Sequence, residues 1–285
     1  MAGAAAHTED QRLMPELPEV ETVARRLRGA LVGETVAAVE VRWEGSVATP
    51  AAAEFVRLLA GRTVTAVGRR GKFLLLHVDP HWLIVHLRMT GQLLVPDLCA
   101  APPRCDRHVH VILSMASGRQ LYFRDARKFG RLWLVPDPAA VVGTLGVEPL
   151  DEGLAAEAWA AKLASRRRQL KPALLDQRFL AGLGNIYVDE ALWSARLHPL
   201  RRTDTLSPAE AERLRAAIRA VLLSALADGG TTMVSFRDPC NEVGGHAPRL
   251  DVYGRRGAPC PRCGTAIARL VVGQRGTHVC PRCQP

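Results

Sequence analysis

The chain has 285 residues, of which 48% are hydrophobic and 23% charged, a globular composition that excludes a disordered chain. A formal net charge of +10 points to a polyanionic partner, most simply nucleic acid, or else to a generically basic surface. No apolar run reaches the ~18 residues needed to cross a bilayer. Met1–Leu13 carries Glu9, Asp10 and Arg12 and lacks a secretory h-region, so a cytoplasmic protein is expected.

Residues 18–33 read as an amphipathic helix, with Val20, Val23, Ala24, Leu27 and Leu31 on one face, Pro18 in the first turn and Gly33 at the end. From about Thr35 to Val135 short alternating or apolar runs follow one another: 63–67, 73–78, 82–87, 108–113, 120–123 and 131–135. That spacing predicts an antiparallel β-sandwich. Pro136-Asp137-Pro138 marks a break, after which the pattern is mostly helical to Gly230. Ser207-Pro208-Ala209-Glu210 is a capping box, and Gly229-Gly230 ends the helix it opens. Arg237 to Arg249 reads as a mobile loop. The expected class is α+β, divided into an extension (1–14), a β-sandwich domain (15–137), a linker (138–154), a helical domain (155–249) and a small C-terminal unit (250–285).

That last unit carries Cys260-Pro261-Arg262-Cys263 and Cys280-Pro281-Arg282-Cys283, two knuckles with the spacing of a four-thiolate zinc ribbon. Such a closed site holds one structural Zn²⁺ and leaves no position for catalysis. Between the knuckles, Gly273-Gln274-Arg275-Gly276-Thr277 predicts a hairpin tip; from spacing alone Arg275 is as readily a solvated arginine as a phosphate contact. Cys99, Cys105 and Cys240 have no ligand spacing.

Six segments in order carry a resemblance over nearly the whole chain: Met14-Pro15-Glu16-Leu17-Pro18-Glu19-Val20-Glu21, Arg70-Gly71-Lys72-Phe73, His86-Leu87-Arg88-Met89-Thr90-Gly91, Arg127-Lys128-Phe129-Gly130, Gly182-Leu183-Gly184-Asn185-Ile186-Tyr187, and the ribbon with Arg275. Together they resemble the bacterial formamidopyrimidine-DNA glycosylases. The resemblance implies a two-layer β-sandwich with flanking helices, a helix–two-turn–helix domain carried by residues 171–193, and a C-terminal zinc-ribbon hairpin. It also implies a monomeric bifunctional glycosylase and AP lyase of the bacterial cytoplasm and nucleoid, acting on damaged double-stranded DNA and removing 8-oxoguanine and formamidopyrimidines.

By the same resemblance Pro15 is the nucleophile through a free N-terminal amine, Glu16 moves protons, and Glu19 supports the site. Lys72, Asn185 and Arg275 hold phosphates, assisted by His86 and Lys171. Met89, Arg127 and Phe129 fill the gap left by the flipped nucleotide, with Lys128 beside them where many relatives have arginine. From the residues alone, Glu16 could be an ordinary carboxylate and Met89 a core side chain, while Lys72 is either part of a phosphate-facing patch with its neighbours Arg69 and Arg70 or a solvated sheet edge. A proline nitrogen inside a peptide bond has no lone pair to attack with. Pro15 therefore acts only if the chain starts at Met14 and that methionine is removed. If Met1–Leu13 is retained, a lyase-dead DNA-binding protein is the alternative; an endonuclease VIII-like enzyme for oxidised pyrimidines is the other.

Overall fold

The structure is a computed structural model and describes residues 14–98, 106–233 and 235–285; Met1–Leu13, Cys99, Cys105 and Val234 lie outside them. The chain forms two compact units. The first comprises the described residues up to Thr144 together with Asp228–Gly245; the second comprises Leu145–Ala227 and His246–Pro285.

In the first unit, helix α1 (Leu17–Leu31) opens with a proline in its first turn and buries Val20, Val23, Ala24, Leu27 and Leu31, the face its periodicity marks. Gly33, at φ 92°, turns the chain out of it. The strands are β1 (Val36–Val41), β2 (Val47–Thr49), β3 (Val64–Arg70), β4 (Phe73–Val78), β5 (His81–His86), β6 (Gly91–Leu94), β7 (Val109–Met115), β8 (Gln120–Asp125) and β9 (Arg131–Val135). They form a four-stranded sheet in the order β1-β7-β8-β6 and a five-stranded sheet in the order β2-β9-β5-β4-β3. All pairs are antiparallel except β2–β9, which is parallel, a feature the alternation pattern does not encode. Helix α2 (Ala52–Leu59) inserts Phe55 and Leu59 into the same core as α1, and a short α3 (Ala139–Val142) follows β9.

The second unit holds α4 (Ala156–Ala164), α5 (Leu170–Leu175), α6 (Asn185–Ser194) and α7 (Pro208–Ala227), then the hairpin β10 (Ala268–Val272) and β11 (Arg275–Val279). The Ser207–Glu210 capping box forms as expected: Ser207 N donates to Glu210 Oε2 at 2.9 Å, and Glu210 N to Ser207 Oγ at 3.3 Å. The Arg201 guanidinium also grips that carboxylate and holds it at about 2, well below its ordinary value.

The first unit runs on to Thr144, past the Pro136–Pro138 break, and the ribbon lies in the same unit as the helices. Moreover, most of the stretch read as a mobile loop, Arg237 to Gly245, is built into the first unit with the residues from Asp228 on, and His246 to Arg249 belongs to the second. Phe236 is buried in the sandwich core, and Thr232 Oγ1 accepts from Gly244 N at 2.9 Å. Asp238 Oδ1 accepts from Cys240 N and Glu242 N at 2.8 and 2.9 Å, while its Oδ2 meets Arg26 of α1 at 3.3 Å. Glycine and charge richness mark irregular backbone, but side-chain acceptors replace the missing ladder. Phe236→Ala should therefore destabilise the sandwich unit by about 3 kcal/mol; urea unfolding followed by the tryptophans of that unit measures it, and an unchanged midpoint would detach the segment from the core.

Candidate catalytic and nucleic-acid-binding groups

In the first unit the groups gather at the start of α1 and on the loops beside β5 and β8. Pro15 and Glu16 are buried immediately before α1. Glu19, also buried, accepts from Glu16 N at 2.8 Å through Oε2 and from Thr231 N at 2.6 Å through Oε1. One carboxylate thus ties Glu16 to the first residues of the returning segment. Gly230, at φ 88°, lies so close that a Cβ would stand 2.8 Å from Glu19 Oε1.

Lys72 is buried in the two-residue turn between β3 and β4, whose closing pair is Arg70 and Phe73. Arg69 corrects the expectation of a phosphate-facing patch. Its guanidinium is spent on Glu21 Oε2 at 3.2 Å and on the Gly71 carbonyl at 3.0 Å.

His86, at the end of β5, packs edge-on against Phe73 at 4.5 Å between ring centroids. Arg88 N donates to its Nδ1 at 3.0 Å, which leaves the proton on Nε2 as a donor. Burial pulls its pKa from 6.5 to about 3, reinforced by the charges of Arg88 and Lys72. His86 is therefore neutral at neutral pH.

The expected wedge residues sit on two loops joined by one residue that sequence reading overlooked. Asp125, fully buried at the end of β8, accepts from the Thr90 hydroxyl, from Gly130 N at 2.7 Å and from Arg127 N at 3.2 Å. It binds the Met89-Thr90 loop to the Arg127–Gly130 loop. A Cβ on Gly130 would stand 2.6 Å from Phe123, so the second loop closes only with glycine. Phe129 is 47% exposed, which excludes a core role, and Arg127 lies over its ring at 5.0 Å. Met89 is half-buried, with its carbonyl accepting from Ser235 Oγ at 3.0 Å. Lys128 adopts φ 61° and sets its ammonium 5.1 Å from the Trp43 ring. The only sequence signal for Asp125 is an acid closing an apolar strand, and nothing in the pattern tells it from a solvated charge.

In the second unit α5, a pair of turns and α6 form the helix–two-turn–helix. Gly182 takes φ 92°, and Gln177 laces the turn, donating to the Leu183 carbonyl at 2.8 Å and accepting from Gly182 N at 2.9 Å. Asn185 begins α6; its Nδ2 donates to the Gly276 carbonyl at 3.1 Å and lies 3.4 Å from the Tyr253 hydroxyl. It reaches a phosphate only by exchanging one of these bonds.

Lys171 is a further correction. Its side chain is 0% exposed, and its ammonium donates to Asp189 Oδ1 at 2.6 Å and to the Gly276 carbonyl at 2.9 Å. It holds the hairpin and does not present its charge to a phosphate. Asp189 Oδ2 accepts from His278 N at 2.8 Å on the same strand. The neighbouring Glu190 accepts from Asp251, Val252 and Tyr253 N–H groups at 2.8, 2.9 and 2.8 Å, and burial raises its pKa. Neither acid stood out in the sequence.

The hairpin turns at Gly273 and Gln274, with φ 55° and 63°, a two-residue turn of the primed kind. Arg275 is accordingly the first residue of β11 and not the tip; it is exposed, its carbonyl accepts from Thr277 Oγ1 at 3.0 Å, and its guanidinium has no partner among the described residues.

The thiol sulfurs of Cys260, Cys263, Cys280 and Cys283 lie within 4.8 Å of one another, with 4.0 Å between Cys260 and Cys283 and 3.4 Å between Cys263 and Cys280. Zn–S bonds of about 2.3 Å place tetrahedral sulfurs about 3.8 Å apart, so the donor set and its spacing fit one zinc ion. Trp193 Nε1 points at Cys260 Sγ at 3.4 Å, and Gln284 accepts from Cys280 N at 2.9 Å while donating to the Leu197 carbonyl at 3.0 Å. These side-chain bonds fasten the knuckles to the helices.

A β-sandwich with a proline-headed helix, a helix–two-turn–helix and a four-cysteine ribbon define a class of zinc-bearing nucleic-acid enzymes. The chain matches the formamidopyrimidine-DNA glycosylase N-terminal domain over residues 14–132, the H2TH domain of the same family over 145–237, and the zinc finger found in FPG and IleRS over 257–285. It is 47% identical to the formamidopyrimidine-DNA glycosylase of Roseiflexus sp. (strain RS-1), an alignment covering 95% of this chain and 100% of that protein. It is 45% identical to the enzyme of that name from Bacillus subtilis (strain 168), covering 95% and 99%. Among solved structures, the MutM (Fpg) protein of Thermus thermophilus superposes with a TM-score of 0.84 at 43% identity, covering 95% of this chain and 98% of that one. Lactococcus lactis Fpg in complex with abasic-site DNA superposes with a TM-score of 0.85 at 36% identity, covering 95% and 99%. This chain belongs to the formamidopyrimidine-DNA glycosylase family, and its four cysteines hold one structural zinc.

His86 and the zinc each give a test. Because its folded pKa lies below the unfolded 6.5, the unfolded chain alone binds a proton between these values; stability is complete above pH 6.5 and falls as pH drops toward 3. Imidazole ¹⁵N NMR should find His86 as the Nε2–H tautomer with no titration from pH 8 to 5; a midpoint near 6.5 would contradict its burial. Stripping zinc with a chelator should release the ribbon and lower duplex affinity at least about tenfold; unaltered affinity would remove Arg275 as a contact.

Proposed function

We propose that this chain excises oxidised purines from duplex DNA through Pro15 and then cleaves the strand at the resulting abasic site. Family membership makes it a base-excision repair DNA glycosylase, and AP lyase activity accords with the family. The observation that carries the residue-level reading is the Pro15-Glu16 pair buried at the start of α1 and tethered through Glu19.

A duplex-stacked base is out of reach of any such group, so the damaged nucleotide is flipped out at a cost of a few kcal/mol. Met89 and Phe129 fill the vacated space, and Arg127 offers donors to the orphaned base. In the second unit Arg275 and Asn185 contact backbone phosphates, Arg275 bidentately, and in the first unit Lys72 and His86, through its Nε2–H, do so; such contacts position the strand without reading sequence. Lys171 acts through the hairpin that carries Arg275.

With a free N-terminus, Pro15 is a secondary amine; free α-amino groups titrate at roughly 8, so a neutral fraction exists at neutral pH. Its nitrogen forms a bond to the sugar C1′ as the bond to the damaged base breaks, and Glu16 supplies or removes the accompanying protons. Ring opening gives an iminium. Loss of a proton from C2′ then expels the 3′ phosphate, and a second elimination expels the 5′ phosphate. This chemistry requires a chain beginning at Pro15, without Met1–Leu13 or Met14. Within this reading the protein acts as a monomer on nucleoid DNA in the bacterial cytoplasm. No helix among the described residues is long and apolar enough to cross a membrane.

Borohydride trapping on an 8-oxoguanine:cytosine duplex, with protein expressed from its native gene region, tests the reading. A covalent adduct mapping to Pro15 is expected, with slower reaction on thymine glycol and with Pro15→Gly losing most excision while still binding duplex. DNA binding with no adduct would leave a lyase-dead binder.

A further inference from the structure

We infer that Arg69, held by Glu21, is a positioning residue that fixes the turn carrying Lys72 to the helix carrying Pro15. The inference rests on the catalytic reading of Pro15 and Lys72 above. The Arg69 side chain is 9% exposed at the end of β3 and bridges two elements. Its Nε donates to Glu21 Oε2 at 3.2 Å, on the first turns of α1, and its Nη1 donates to the Gly71 carbonyl at 3.0 Å.

That carbonyl is a consequential atom to hold. The Gly71 C=O and the Lys72 N–H lie in one rigid peptide plane, so fixing the oxygen fixes the orientation in which the chain enters Lys72. The plane is also the one most free to turn. Gly71 has φ 55° and Lys72 follows it before the closing Arg70–Phe73 pair, so this is the central peptide of a two-residue hairpin turn. The two primed turns that fit such a hairpin both have a positive φ at the first residue and differ by a flip of that central peptide. A flip would swing the Lys72 side chain away from its present direction. A guanidinium anchored on the oxygen selects one orientation, and Glu21 fixes the guanidinium to α1 within a few residues of Glu16. Arg25 holds the other oxygen of Glu21 at 3.0 Å. A lysine at position 69 could reach the carboxylate or the carbonyl but lacks the planar fork that reaches both.

The test is single-turnover excision of 8-oxoguanine by wild type, Arg69→Met, Arg69→Lys, Glu21→Gln and the control Lys72→Ala. Affinity for an undamaged duplex and the thermal midpoint are measured on each. Misplacement of a reacting group by about 1 Å costs up to about 100-fold in rate. Arg69→Met should therefore slow excision and borohydride trapping by roughly 10- to 100-fold, with undamaged-duplex affinity unchanged within about twofold. Arg69→Lys should recover part of that loss. Glu21→Gln, which preserves shape, should slow the reaction in the same sense, and combining it with Arg69→Met should add little. Wild-type rates in Arg69→Met and Glu21→Gln beside a slow Lys72→Ala would overturn the inference and leave the catalytic reading intact. A wild-type rate in Lys72→Ala would overturn the catalytic reading itself. If Arg69→Met melts below the assay temperature, the Glu21→Gln and Arg69→Lys rates decide alone, and parity of both with wild type refutes the positioning role.

Discussion

A carboxylate taken out of water and satisfied by main-chain N–H groups is the interaction on which the functional parts of this protein depend. Irregular backbone has no ladder partners, and an unpaired buried N–H is costly. A buried carboxylate has the complementary problem, since its charge is tolerated inside only when fully hydrogen-bonded. The two needs are met together. Glu19 serves Glu16 and Thr231, Asp125 serves Arg127 and Gly130, and Glu190 serves the successive amides of Asp251, Val252 and Tyr253. Each acid sits on or beside a regular element and each segment it holds is irregular, so the loops inherit the rigidity of helix or strand. For groups that must meet a flipped nucleotide with little misplacement, that rigidity is what chemistry needs.

The same arrangement separates what the sequence discloses from what it hides. Features encoded locally are legible. The four cysteines declare their metal by spacing, the face of α1 its burial by period, and Ser207–Glu210 its cap by residue type. Features that depend on a distant partner are not. Glu19 and Thr231 are separated by 212 positions, and no local pattern announces that one accepts from the other. Arg69, flanked by Arg70 and Lys72, has the look of a phosphate patch because its true partner is on α1. The stretch from Arg237 to Arg249 reads as free loop because glycine and charge are the visible signal, whereas its first part is fixed by the side-chain acceptors Thr232 and Asp238 and by the burial of Phe236, which no local pattern announces. The resemblance to the family supplied roles for residues, Glu19 among them, but not Asp125, Asp189 or Glu190, the other buried acids that hold loops and hairpin in place.

Lys171 shows why such positions are misread. A lysine opening a helix in a basic protein is reasonably assigned to the nucleic acid, and its direction of effect on activity would agree. Its ammonium is instead fully buried between Asp189 and the Gly276 carbonyl, the acceptor it shares with Asn185. A buried pair of this kind is a poor means of gaining stability, because removing both charges from water offsets much of their attraction. What it supplies is direction. An apolar pair of equal volume would fill the space, but it would not bind the carbonyl one residue beyond Arg275 or select its position along α6. Asp189 adds a second point of attachment at His278, further along β11. With two points fixed on one short strand, the strand can neither slide nor rotate against α6. The exposed guanidinium at its start therefore projects from a defined base, although nothing among the described residues holds the guanidinium itself.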